Sequence, residues 1–296
     1  MNPPDRYAVL GNPVRHSRSP RIHQLFAEQC GHSIRYERRL VELGAFDAGL
    51  REFRAEGGRG CNVTVPFKFD AARAASRLSA RAALAQAANT LGWDADGTLW
   101  GDNTDGIGLV RDLARLLGRP PEQALRGMRV LLLGAGGAAS GVLGALLQAG
   151  AAAVEVWNRT PQRAQALVDL HAGLARQTGA RLAPSAGPRP GHDLVIHATA
   201  GSLGGGLPEL PAGVLHASAL AYDLMYGALP TPFVRLARDA GAQAHDGLGM
   251  LVEQAAESFA LWRRVRVDTA PVLACLRAEL QAEAAAAATS GERSGS

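Results

Sequence analysis

Three polar clusters in the first third of the chain bring together side chains able to grip a small, hydroxylated anion. They are Ser17-Arg-Ser19, Asn62-Val-Thr64-Val-Pro-Phe-Lys68, and Asn89-Thr90 with Gly101-Asp-Asn-Thr-Asp105. Hydroxyls and amides suit a polyol, while one lysine and one aspartate can bind charge or move a proton. Taken singly, each serine or asparagine also fits a cap or a turn, and Lys68 fits a solvated surface lysine.

A fourth cluster, Gly134-Ala135-Gly136-Gly137-Ala138-Ala139-Ser140, follows an apolar run and reads as strand, G-x-G-x-x-A, helix. The first glycine allows the tight turn and the second lets backbone approach a pyrophosphate at the helix N-terminus, which is the dinucleotide fingerprint. In a chain this rich in alanine and glycine the same pattern also fits a plain tight turn. The next strand, Val154–Trp157, ends where an NAD site places a ribose-binding carboxylate. Asn158-Arg159-Thr160 stands there instead, with Arg163 one turn on. An acid would repel a 2′-phosphate, whereas these residues can pair with it and hydrogen-bond to it. The cofactor expected is NADP(H); the other reading is two arginines decorating a helix start.

The elements that must position these groups alternate strand and helix. Strands are expected at Tyr7–Gly11, Ile34–Leu40 and Gly60–Val65, with helices from Ser19-Pro20 through Gln29 and over Leu43–Ala55. Gly92–Trp100 reads as a hairpin whose Asp96-Gly97 centre suits a type I′ turn. A helix over Ile107–Leu117 follows, and Gly118-Arg-Pro-Pro121 looks like a linker. Further strands at Met128–Leu133, Val154–Trp157, Leu194–Ala198 and Ala219–Leu224, with a helix over Pro161–Thr178, are the pieces of a Rossmann-type domain. An amphipathic helix over Leu248–Val265 comes next, and the alanine-rich Ala282–Ala288 and the tail to Ser296 are expected to fray.

At 296 residues the chain exceeds one domain of ~100–200 residues, so two domains with a cleft between them are expected. The fold class is α/β with mostly parallel sheet. A net charge of +4 with scattered arginines lacks a nucleic-acid footprint. The segment from Val130 to Val154 carries no charge, but its six glycines fit strand–turn–helix–strand better than a lipid-facing helix. Cys30, Cys61 and Cys275 lack metal or redox spacing, His16 and His245 lack ligand spacing, and no metal is expected. The opening Met-Asn-Pro-Pro-Asp-Arg has no export pattern, so a cytoplasmic protein is expected. A single chain and a homodimer are both compatible with the sequence.

The ordered series Gly11-Asn-Pro-Val-Arg-His16-Ser17-Arg-Ser19-Pro20, Asn62 to Lys68, Asn89-Thr90, Gly101-Asp-Asn-Thr-Asp105-Gly106, the Gly134 cluster, Asn158-Arg-Thr160, Tyr222-Asp-Leu-Met-Tyr226 and Asp246-Gly-Leu-Gly-Met250 resembles the motif series of the shikimate dehydrogenase family. The resemblance runs from Gly11 to about Gln254. It implies a substrate-binding α/β domain (residues 1–105 plus 246–284), a Rossmann-type NADP-binding domain (106–245) and a disordered tail (285–296). The implied activity is reversible reduction of 3-dehydroshikimate to shikimate with NADPH, a step toward chorismate and the aromatic amino acids. By the same resemblance Lys68 and Asp105 are the catalytic pair and Ser17 and Ser19 bind the substrate carboxylate. Asn62, Thr64, Asn89, Tyr222 and Gln254 line the rest of the pocket, and Thr199, Leu220, Gly247 and Met250 join the glycine cluster at the cofactor. Hydride delivery to a ketone develops charge on oxygen, which a lysine ammonium can stabilise and protonate.

Two places depart from the usual pattern: Ala85-Gln86-Ala-Ala before Asn89, and His197-Ala-Thr199 where Asn-Ala-Thr is usual. The first reads as a packing variation. The second puts an imidazole at a strand end, either as a pH-dependent cofactor contact or as a satisfied structural histidine. A quinate/shikimate or aminoshikimate dehydrogenase of broader specificity would share Lys68 and Asp105, although NAD-accepting relatives should carry an acid near Asn158. A non-catalytic NADP-binding regulatory protein on the same fold is the alternative of another class, and retention of both Lys68 and Asp105 argues against it.

Overall fold

The computed structural model describes residues 3–199, 207 and 209–293. Its first sheet takes β1 (Asp5–Gly11), β2 (Ile34–Leu40), β3 (Gly58–Val63), β4 (Arg77–Leu78), β5 (Thr90–Trp93) and β6 (Leu99–Asp102), in the order β2-β1-β3-β5-β6-β4. β1 lies parallel to β2 and β3, whereas β5 runs antiparallel to both β3 and β6. Helices α1 (Ser19–Cys30), α2 (Phe46–Ala55), α3 (Lys68–Ala74) and α4 (Ala80–Ala85) connect these strands, and α5 (Asp105–Leu117) leads away.

The second sheet is wholly parallel. It contains β7 (Arg129–Leu133), β8 (Ala153–Trp157), β9 (Arg181–Pro184), β10 (Leu194–His197), β11 (Leu220–Asp223) and β12 (Gln243–His245), ordered β12-β11-β10-β7-β8-β9. Counted from β7, this is the doubly wound dinucleotide-binding order, whose direction reverses between β7 and β10 and opens a crevice at the strands' carboxyl ends. Buried on both faces, β7 and β10 read as near-continuous apolar runs, Arg-Val-Leu-Leu-Leu and Leu-Val-Ile-His. Helices α6 (Gly137–Gln148), α7 (Pro161–Thr178) and α8 (Pro232–Asp239) accompany this sheet. The chain then returns as α9 (Leu248–Arg263) and α10 (Ala270–Arg293), whose Leu248, Val252, Phe259, Val272 and Leu276 pack with Ile22 and Phe26 of α1. Among the described residues no helix is long and apolar enough to cross a membrane.

Three local expectations need correction. The hairpin between β5 and β6 is not type I′, since Gly97 has a positive φ (+87°) and Asp96 does not. Instead the Gly97 N–H donates to the Asp94 carbonyl at 3.0 Å and the Asp94 N–H to the Thr98 carbonyl at 3.0 Å. That is a three-residue loop closed by a left-handed glycine. The helix expected over Ile107–Leu117 begins two residues earlier, so that Asp105 opens α5. The segment from 285 to 293, expected to fray, continues α10; the alanines there are strong helix formers.

Candidate active site

Lys68 opens α3 just beyond β3, and Asp105 opens α5 just beyond β6. The Lys68 ammonium donates to Asp105 Oδ2 at 2.5 Å, with the lysine side chain 15% exposed and the aspartate 6%. The other oxygen, Oδ1, accepts from Asn89 Nδ2 at 2.8 Å, and the Asp105 N–H donates to Asn103 Oδ1 at 3.1 Å. Both carboxylate oxygens are therefore fixed by donors, which sets the rotamer of the group that orients the ammonium.

A continuous polar network extends from this pair. Asn89 Nδ2 also contacts Gln254 Oε1 at 3.1 Å and Thr104 Oγ1 at 2.9 Å, and Asn89 Oδ1 accepts the Thr104 N–H at 2.8 Å. Asn62 Nδ2 reaches the Asn89 carbonyl at 3.1 Å and Ser258 Oγ at 3.0 Å, and Tyr36 donates to Asn62 Oδ1 at 2.8 Å. Tyr36 is half-buried, and the desolvation of its phenol pushes it well above the usual range, with Ser19 as hydrogen-bond partner. Ser19 in turn meets Ser17, whose hydroxyl lies 3.2 Å away. The structure thus joins Ser17, Ser19, Asn62, Asn89, Gln254, Asp105 and Lys68 in one chain of hydrogen bonds. Thr64 sits just past β3, its methyl against Gly11.

On the other side, Gly134 turns the chain after β7 with φ +121°, a conformation L side chains avoid. Gly136 precedes α6 as its N-cap, no side chain caps that end, and a Cβ on Gly136 would meet nothing within 4 Å. The first-turn amides of Gly137, Ala138 and Ala139 therefore have no capping side chain, beside an unfilled cradle. This fits a pyrophosphate, which a helix N-terminus attracts through its N–H groups and dipole. A Cβ on Gly137 would stand 3.7 Å from Lys68 Cβ and 3.7 Å from the Phe69 ring, so the turn directly abuts the Lys68 segment. Asn158, just past β8, is half-buried and donates to the Thr160 carbonyl at 3.0 Å, while Thr160, Arg159 and Arg163 are exposed. That arrangement fits a phosphate on the adenosine ribose.

Two expected site residues do not belong where the resemblance put them. Tyr222 lies inside β11 with no exposed surface, its hydroxyl donating to Asp112 Oδ2 at 2.7 Å and accepting the Met250 N–H at 3.3 Å. Its position within the strand turns it into the core. Tyr226, just beyond the strand, is the tyrosine that reaches the substrate-side loop. Burial pushes its phenol up, opposed by a hydrogen bond with the Arg18 backbone between Ser17 and Ser19. Leu220 begins β11 and is buried, so it lies at the end of a parallel strand opposite the ligand crevice. Leu224 follows the carboxyl end, and its carbonyl lies 2.3 Å from where a Cβ on Gly247 would be, so only glycine fits there. Met250 is buried in the first turn of α9. Thr199 follows β10 beside Gly134.

Sequence reasoning included Thr90 and Thr104 only as members of their polar clusters, without roles of their own, and passed over Ser258. Thr90 and Ser258 lie 2.7 Å apart, and the Ser258 hydroxyl is 3.2 Å from that of Thr104. The signal for Ser258 was its spacing: it stands four residues after Gln254, hence on the same face of α9.

A doubly wound parallel sheet with an open helix N-terminus, abutting a lysine–aspartate pair held by a second α/β layer, defines an NADP-dependent dehydrogenase. The chain matches the Shikimate dehydrogenase substrate binding domain over residues 9–91, Shikimate / quinate 5-dehydrogenase over 117–202 and the Shikimate 5'-dehydrogenase C-terminal domain over 247–276. It is 55% identical to the shikimate dehydrogenase (NADP(+)) of Acidovorax sp. (strain JS42), covering 95% of this chain and 98% of that one. Among solved structures it resembles an Ael1 enzyme from Pseudomonas putida, with a TM-score of 0.80 and 47% identity over 92% of this chain and 98% of that one. It also resembles shikimate 5-dehydrogenase from Thermus thermophilus in complex with NADP(H) and shikimate, with a TM-score of 0.76 and 37% identity over 92% of this chain and 98% of that one. The chain belongs to the shikimate dehydrogenase family.

Proposed function

We propose that this protein catalyses the reversible NADPH-dependent reduction of 3-dehydroshikimate to shikimate, supplying chorismate and aromatic amino acid biosynthesis. The observation that carries the reading is the Lys68–Asp105 pair, 2.5 Å apart beside the glycine turn. NADPH, when bound, supplies the hydride. Lys68 binds the substrate oxygen through its ammonium, stabilises the charge developing there and delivers the proton. Asp105 holds that ammonium and is held by Asn89. Ser17 and Ser19 take the substrate carboxylate with Tyr226 opposite, and Asn62, Thr64, Asn89 and Gln254 shape the remaining wall.

For the cofactor, Gly134, Ala135, Gly136, Gly137 and Ala138 present backbone to the pyrophosphate. Asn158, Arg159, Thr160 and Arg163 hold the 2′-phosphate, and Thr199, Leu224, Gly247 and Met250 surround the nicotinamide end. Residues 1–105 and 246–284 form the substrate-binding half and 106–245 the cofactor half, a division supported by the separate sheets and by the return of α9 and α10 onto α1. The three free thiols fit a reducing compartment, and we place the protein in the cytoplasm.

The test is oxidation of shikimate and of quinate, each with NADP+ and with NAD+, followed by absorbance of the reduced nicotinamide. Turnover confined to shikimate with NADP+ is expected. Comparable rates with quinate or NAD+ would move the protein to the broad-specificity relatives.

A further inference from the structure

β2 divides its polar side chains between two faces. Strand alternation puts Arg35, Glu37 and Arg39 on one face and Tyr36 and Arg38 on the other. On the first face Glu37 is met by Arg6, Arg35 and Arg39, and Arg6 and Arg39 also pair with Glu56. On the second, Tyr36 donates its hydroxyl to Asn62 Oδ1, inside the polar network of the substrate pocket. Arg38 leaves that same face one step nearer the strand's carboxyl end, where α/β sheets place their ligands. Its Nε donates to the Ser17 carbonyl at 2.8 Å. Among the described residues it joins no ion pair, unlike Arg35 and Arg39 beside it. Arg18 and Arg21, adjacent to the serines in sequence, are by contrast neutralised by Glu283 and Glu279 of α10.

A second observation brings the Arg38 charge to the same place. Burial pushes the Tyr226 phenol up, while a hydrogen bond with the Arg18 backbone and the charges of Arg18 and Arg38 pull it down. The Arg38 guanidinium therefore borders both Ser17 and the tyrosine opposite the serines. A substrate carboxylate held between Ser17, Ser19 and Tyr226 brings a full negative charge that hydroxyls do not neutralise. Ser19 is buried, and taking an anion partly out of water is costly unless a cation pairs with it. A guanidinium offers five N–H donors in a fixed fork, and the bond to Ser17 engages one of them.

We infer that Arg38 is a further substrate-binding residue, the cation that pairs with the substrate carboxylate over Ser17 and Ser19 and favours acids over their neutral analogues. The inference rests on the shikimate site proposed above. Its test is calorimetric affinity for shikimate and for its neutral carboxamide, in wild type, Arg38→Gln and Arg38→Lys, with steady-state kinetics on the same preparations. Arg38 is exposed, so both variants should fold. Arg38→Gln is expected to weaken shikimate about tenfold, the size of one charge-assisted hydrogen bond at an exposed site. The carboxamide affinity and kcat should stay within about twofold, because the lost charge faces the carboxylate and not the reacting oxygen. Arg38→Lys, which keeps the charge, should recover most of the loss. Unchanged shikimate affinity in Arg38→Gln, equal weakening of acid and carboxamide, or Arg38→Lys no better than Arg38→Gln would each overturn the inference; the last two would leave Arg38 a support for the Ser17 backbone. A wild-type protein that binds shikimate but does not oxidise it with NADP+ overturns the proposed activity instead, and leaves this affinity comparison intact.

Discussion

Replacing Tyr222 with phenylalanine separates a tyrosine in the core from one in the substrate pocket. Its hydroxyl donates to Asp112 Oδ2 at 2.7 Å, and Asp112 is itself 2% exposed. Burial first, and the neighbouring Asp112 charge second, push the phenol well above its usual range, so the hydroxyl stays a donor. Hydrogen bonds to charged groups contribute roughly 1.5–3 kcal/mol. Arg115 remains on the other carboxylate oxygen at 2.6 Å and limits the damage, so we take about 2 kcal/mol, within the range for charge-assisted bonds. At about 2–4 °C per kcal/mol for a chain of this size, Tm should fall by ~4–8 °C. Calorimetry and steady-state kinetics on the same preparation check this, with KM for shikimate expected to stay within about twofold, since no substrate contact is lost. An unchanged Tm with a KM raised tenfold would return Tyr222 to the pocket and refute the argument.

Lys68→Ala should lower kcat by about 10²–10⁴, the usual range for a positioned proton donor, and raise KM for shikimate far less; near-normal kcat in steady-state assays would remove it from the chemistry. The double change Arg159→Ala and Arg163→Ala should weaken NADPH at least tenfold more than NADH, as only NADPH carries the extra phosphate, and equal losses in the two titrations would sink that role. Burial lowers the His23 imidazole from 6.5 to about 3, so its folded value lies below its unfolded one. Its contribution to stability is thus complete above pH 6.5 and is lost as pH falls toward 3, at about 1.4 kcal/mol per pH unit. Urea denaturation at pH 7 and pH 5 should show His23→Phe losing about 2 kcal/mol less than wild type over that interval; parallel losses would contradict this.

The parallel sheet, the glycine turn and the Lys68 and Asp105 neighbourhoods were legible because each follows from a local rule: an apolar run, a turn residue, or a polar residue at a strand end. Tyr222 and Leu220 were misplaced because the decisive quantity is where β11 stops. Strand ends depend on the neighbouring ladder more than on local propensity. Once Asp223 is the last residue of the strand, Tyr226 and Leu224 fall at the ligand edge and their counterparts do not. The type I′ turn failed for a similar reason: Asp-Gly is also compatible with a three-residue loop, and the flanking register decides between them. His197 was visible as an oddity, but its partners Asp223 and Phe233 come from distant segments that only folding brings together.

The placement of α5 explains why the aspartate and the lysine play different parts. A Cβ on Gly106 would stand 2.7 Å from Ala145 Cβ and 2.8 Å from the Gly141 carbonyl. One on Gly108 would stand 2.7 Å from both Gln254 Cβ and the Met250 carbonyl. The α5 backbone thus lies directly on α6 of the cofactor layer on one side and on α9 of the returning segment on the other. Close-packed contacts of that kind have no slack, so a shift of α6 against α9 must carry the start of α5 with it. Asp105 sits at that start, its carboxylate 3.1 Å from where a Cβ on Gly141 would be. Lys68 has no such constraint, since it projects from the seven-residue α3 on a flexible four-carbon stem. The Asp105 carboxylate is therefore registered to both α6 and α9, while the Lys68 ammonium that donates to it rides on the more flexible side chain.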